Sequence, residues 1–90
     1  MNALDLIAKE RARQIAVKGY TTQHDDEHDF GEIAQAAVEF AAPYSNHLTP
    51  DSWAYKRDDH TRLEQLAKAG ALIVAEMERL VRMEEQEAAA

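Results

Sequence analysis

The sequence predicts an all-α fold of three main helices, at about residues 3–18, 30–42 and 59–84, with a short helical turn near 50–55. Two observations carry that expectation. Apolar residues recur at three- and four-residue spacing in each main segment, and residues suited to starting or stopping a helix stand at the ends. No internal repeat and no long linker divides the chain, so residues 1–90 read as a single helical domain.

In the first segment Asn2 can cap a helix with Asp5 three residues on, and Gly19 suits the left-handed position just past its end. Leu4, Ile7, Ala8, Ala12 and Ile15 form one apolar arc at helical spacing, and Arg11 falls inside it. A guanidinium aimed at a core needs a carboxylate or an anionic ligand, unless its stem covers apolar surface while its head reaches water. In the second segment Asp29 and Glu32 have capping-box spacing and Pro43 is the stop. Phe30, Ile33, Ala34, Ala37, Val38, Phe40 and Ala41 share one side there, with Gln35 and Glu39 opposite. Thr49 followed by Pro50 suggests one or two turns carrying Trp53 and Tyr55.

The last helix is the longest. Leu63, Leu66, Ala67, Gly70, Val74, Met77 and Val81 make its main apolar stripe, while Ala69, Leu72, Leu80 and Met83 form a second apolar face. A helix apolar nearly all round is usually buried on two sides, so the second face predicts a homo-oligomer. Small size points the same way, because a chain this short buries only about 60–65% of its unfolded surface. Glu76 points toward the second face, either as the partner of an arginine or as an exposed acid. The tail "EEQEAAA" is expected to fray.

A formal net charge of −7 argues against broad binding to a phosphate backbone and predicts no direct DNA binding. The absence of cysteine removes disulfides and thiolate metal sites. The longest apolar run, Ala69 to Ala75, is far short of the roughly 20 residues of a membrane span, so no membrane is expected as a partner. With no basic-then-apolar leader either, the expected location is the cytoplasm.

Charge is uneven along the chain. Lys9, Arg11, Arg13 and Lys18 oppose only Asp5 and Glu10 in the first helix, whereas Asp25, Asp26, Glu27, Asp29 and Glu32 follow without a basic residue among them. The stretch "GYTTQHDDEH", residues 19–28, admits three readings: rim of a ligand pocket, metal site, or a turn whose acids favour the positive end of the next helix. As a metal site it would use His24, Asp25, Asp26, His28 and Glu32 to hold magnesium or manganese and activate water. As a pocket rim it would present Tyr20 and His24 beside the cations of the first helix. Arg11 and Arg13 lie on different helix faces, so one anion would be flanked by Arg11 of one copy and Arg13 or Lys18 of another. Glycine-rich phosphate loops, a nucleophile elbow and a cysteine nucleophile are all missing from the sequence.

Four segments, "ERARQ" at 10–14, "GYTTQHDDEH" at 19–28, "GEIAQAA" at 31–37 and "LAKAGALIVAEMERLVR" at 66–82, resemble a group of small phage and prophage proteins. Its chains read ERxRQ, G(W/Y)TxxHDDxH, GExAxAA and LxKAGALIxAExERLxR. The likeness spans most of the chain and departs at residues 43–58. It implies a phage accessory protein acting in the infected bacterium. Proteins of that size and origin resemble small helical oligomers that sequester nucleotide immune signals at subunit seams, and also the all-helical pyrophosphohydrolases of MazG type. The latter hold magnesium with Glu-x-x-Glu, whereas this chain has only Glu32 and Glu39, seven apart.

The leading expectation is therefore non-catalytic binding of a nucleotide-like ligand in counter-defence, without a cofactor. Arg11, Arg13 and Lys18 would take phosphate charge, Tyr20 or Trp53 would stack on a base, and His24 and Asp26 would read ribose or base edges. The alternatives are a metal-dependent nucleotide hydrolase and an acidic inhibitor of a host defence protein.

Overall fold

In a computed structural model, residues 1–42 and 60–89 are described. They form four helices: α1 (Ala3–Lys18), α2 (Thr22–Asp26), α3 (Glu32–Ala41) and α4 (Arg62–Ala89). The expected turn near 50–55, with Trp53, lies outside the described residues. No described helix is long and apolar enough to cross a membrane.

The ends of α1 follow local chemistry. Asn2 Oδ1 accepts from the Asp5 N–H at 2.9 Å and the Asn2 N–H donates to Asp5 Oδ2 at 3.1 Å, a reciprocal cap. Gly19 takes φ 73°, which lets the Tyr20 N–H turn back to the Gln14 carbonyl at 3.0 Å. The chain then re-enters a helix at once, because the Thr21 hydroxyl accepts from the His24 N–H. The acidic stretch thus contains α2 rather than an irregular loop.

Helix α3 departs from its expected start. Gly31, at φ 86°, is the N-cap, and the Glu32 carboxylate accepts from the Phe30 N–H at 2.6 Å, so Asp29 does not close a capping box. Phe30 is left outside the core and 92% exposed. At the other end Arg62 donates to the carbonyls of Phe40 (3.3 Å) and Ala41 (2.5 Å), placing a cation on the negative end of α3. Helix α4 continues to Ala89, so the expected fraying at 84 is replaced by further turns of Glu, Gln and Ala, all good helix formers.

Helix α4 is the spine against which α1, α2 and α3 pack. Arg62 at the foot of α4 holds the end of α3, and Ala34 near the start of α3 shares a groove with Met77, so α3 runs antiparallel to α4. Along α1 the partners ascend with the sequence: Ile7 meets Gly70, Arg11 faces Glu78, and Asp26 beyond its end meets Arg82. Helix α1 is therefore parallel to α4. The core between α3 and α4 is small, formed by Ile33, Ala37, Leu72 and Ala75 with Tyr20, Ala36 and Phe40 against it.

Three face assignments are corrected by this packing. The second face of α4 is the inward one at Ala69 and Leu72, whereas Leu63, Leu66, Met77 and Val81 of the expected main stripe are exposed. The inner face is lined by Ala69, Ala71 and Ala75, whose small side chains let the neighbouring helices approach closely. Helix α1 turns Ile7, Arg11 and Gln14 inward and leaves Leu4, Ala8, Ala12 and Ile15 exposed. In α3, Glu39 is buried while Ala34 and Val38 face outward.

Candidate functional site

Polar side chains from α1, α2 and α4 meet at one place. Arg11, on the inward side of α1, puts Nη2 2.9 Å from Asp25 Oδ2 and donates from Nη1 to the Tyr20 carbonyl at 3.2 Å. Its Nε lies 3.5 Å from Glu78 Oε1 of α4. Asp25 is 2% exposed, and a carboxylate so far out of water needs an opposite charge such as this guanidinium beside it. Next to it, Asp26 Oδ1 takes a 2.7 Å ion pair from Arg82 of α4. The two adjacent aspartates of "HDDEH" thus tie α2 to two different helices.

A second knot lies below. Glu10 accepts from Arg13 through both oxygens, at 2.7 and 2.9 Å, and from Lys68 of α4 at 3.0 Å. Burial pushes the Glu10 carboxyl up, and hydrogen bonds from Arg13 and Lys68 outweigh it and hold the group below the ordinary carboxylate value. The Arg13 guanidinium is raised by the Glu10 hydrogen bond and, to a smaller extent, by the Tyr20 phenol. Gln14, one turn on from Glu10, is buried with Oε1 unsatisfied. Farther along α4, Glu76 pairs with Arg79 at 2.5 Å, so its arginine reading holds.

Over the first knot stands a short ladder of rings. Tyr20 and His24 stack with centroids 4.7 Å apart and planes 14° from parallel, and His24 to His28 is 4.4 Å. The His28 Nδ1 can only donate to the His24 carbonyl, at 2.7 Å, and the His24 Nδ1 faces the Asp25 carboxylate at 3.1 Å. Both imidazoles therefore carry the Nδ1 proton, and their Nε2 atoms are the remaining acceptors when neutral.

The nucleotide-site residues separate in this arrangement. Arg11 is engaged inside the fold, Asp26 pairs with Arg82 at the surface, and Tyr20 lies between the core and His24, so its ring is not an open platform. Arg13 remains partly accessible beside Glu10, and Lys18 is exposed in the last turn of α1. Trp53 is outside the described residues. The five-residue metal set does not converge. Asp25 and Asp26 face Arg11 and Arg82, Glu32 turns to Phe30, and no group of three or more potential ligands among the described residues could hold an ion.

Sequence reasoning missed Glu78, Arg82 and Lys68, the α4 partners of Arg11, Asp26 and Glu10. All three lie within "LAKAGALIVAEMERLVR", and their partners lie within "ERARQ" and "HDDEH". The polar letters of three separate segments are thus halves of the same ion pairs. No protein-family model, curated protein or solved structure matches the chain.

Proposed function

We propose that this chain is a phage-encoded, non-catalytic binding protein that works as a homo-oligomer in the infected cell and acts on a host defence protein by docking. The observation that supports this reading best is the fate of the cations. Arg11, Arg13, Lys68, Arg79 and Arg82 are each paired with an acid of the same chain. Among the described residues, the surface that is left carries an acidic excess, including Glu27, Asp29, Glu84, Glu85 and Glu87 against Lys9 and Lys18, beside exposed apolar side chains. Acidic and apolar surfaces suit a basic protein partner better than a phosphate.

A second reading keeps the nucleotide-like ligand. The ring ladder and the adjacent Arg13 favour it, with His28 as the outer ring, His24 and His28 Nε2 as acceptors, and Arg13 with Lys18 for phosphate charge. Arg11 and Asp26 are left out of that set because their charges are paired with Asp25 and Arg82. Native mass spectrometry of the protein from phage-infected cells separates the two. A complex with a host protein that salt dissociates supports docking. An oligomer that instead releases a nucleotide on denaturation overturns docking in favour of sequestration.

A further inference from the structure

Leu63, Leu66, Gly70, Ile73, Met77 and Leu80 form a single row on α4 with spacing 3-4-3-4-3, the repeat of a helix that pairs with another helix. Apart from Gly70, which Ile7 of α1 covers, the row is open: Leu63 is 60% exposed, Leu66 44%, Ile73 48%, Met77 60% and Leu80 44%. Along one flank Ile73 and Met77 join Ala34, Val38 and Ala41 of α3 in a groove of about 290 Å³. With Val38 these side chains expose on the order of 500 Å² of apolar surface in one strip, the upper range for a monomer. A standard interface buries ~800 Å² per partner, a little over half of it apolar, so the strip supplies the apolar part of one such interface.

The spacing is the same read in either direction, so a second copy of α4 can pair with it layer by layer, parallel or antiparallel. Charge decides between them. The first half of α4, residues 62–75, carries Arg62 and Lys68 against Glu64; residues 76–89 carry five acids, Glu76, Glu78, Glu84, Glu85 and Glu87, against Arg79 and Arg82. Parallel pairing sets two acidic halves side by side, whereas antiparallel pairing sets each against the half that carries a single acid, Glu64, and opposes the helix dipoles. The geometry points to a two-fold antiparallel dimer in which the open row of α4 pairs with the same row of a second copy. Leu63 then meets Leu80 of the second copy, Leu66 meets Met77, and Ile73 lies over the Gly70–Ile7 contact.

This dimer deepens the homo-oligomer of the proposed function and is tested on the purified chain alone, whatever its target. The absence of native cysteine makes cross-linking clean. Sedimentation at about 100 μM, where a Kd of ~10 μM still leaves dimer dominant, is expected to give a dimer. Met77→Glu is expected to give a monomer with the same helical circular-dichroism signal. Oxidising a mixture of Leu66→Cys and Met77→Cys chains should yield a covalent heterodimer, while Leu66→Cys alone stays unlinked, because a disulfide needs Cα atoms within roughly 7 Å. A monomeric wild-type chain overturns the dimer. Linkage of Leu66→Cys to itself, or a dimer in which the mixed pair does not link, overturns this seam while leaving oligomeric binding standing.

Discussion

Arg11 and Asp25, fourteen residues apart, close a 2.9 Å ion pair in which Asp25 is 2% exposed and the Arg11 side chain 12%. The pair joins α1 to α2, and Glu78, 3.5 Å from Arg11 Nε, brings α4 to the same charge. An arginine inside an otherwise apolar arc is thereby explained without a ligand. Its carboxylate comes from the chain itself, from a turn that looked like a surface loop.

Adjacent aspartates in this turn are expected to differ sharply in worth. Asp26 and Arg82 are partly exposed, at 43% and 26%, and exposed pairs contribute about 0.2–1 kcal/mol. Asp26→Ala should therefore lower the urea-derived stability by less than ~1 kcal/mol and leave the fold intact. Asp25→Ala removes the close carboxylate of a nearly buried guanidinium and leaves it only the longer contact with Glu78, so its cost should be several-fold larger. Equal losses for the two variants would contradict the burial difference.

The Glu10 knot sets an acid limit on stability. Its folded pKa lies below the ordinary value of about 4.5, so the carboxylate's contribution is fully present above that value. It is lost as pH falls through the lower folded value. Thermal denaturation between pH 6 and pH 3 should show wild type losing more stability than Glu10→Gln, the two curves converging at the acid end. Parallel curves would mean that Glu10 is not held ionised by Arg13 and Lys68.

Close approach of α1 to α4 depends on Gly70. A Cβ built there stands 2.7 Å from Ile7 Cδ1 and 2.8 Å from Ile7 Cγ1. Alanine would raise helix propensity by up to ~1 kcal/mol, but overpacking against a β-branched side chain with restricted χ1 costs about 1–3 kcal/mol. Gly70→Ala is expected to be destabilising on balance, and Ile7→Val in the same chain should recover part of the loss. A stabilised Gly70→Ala protein, measured by urea denaturation, would show that α1 is free to move aside.

Local signals in the sequence translated directly. Asn2 with Asp5 and Gly19 bracket α1 as expected, since a cap depends on residues three or four apart. Orientation was less legible. Two faces of α4 are apolar, and hydrophobicity alone does not say which turns inward; Ala69, Ala71 and Ala75 decide it by permitting closer packing. In α1 the polar side won, because Glu10 and Arg11 find partners in Lys68, Asp25 and Glu78, with Gln14 buried beside them. Those partners are 14 to 67 residues away in the chain, beyond the reach of periodicity. For the candidate site, the sequence singled out Arg11 and Asp26 as ligand residues and Asp25 with Asp26 as alternative metal ligands, and the fold sets Arg11 against Asp25 and Asp26 against Arg82.

The most direct measurement is a double-mutant cycle on Arg11 and Asp25, with Arg11→Met, Asp25→Leu and the double variant compared in urea. The account predicts that each single change costs about 3–5 kcal/mol by taking from a buried charge its closest opposite charge, and that the double variant recovers most of it. Additive losses, or a single change costing less than ~1 kcal/mol, would contradict the claim that this pair is the internal tie of the fold and return Arg11 to the surface as a ligand residue.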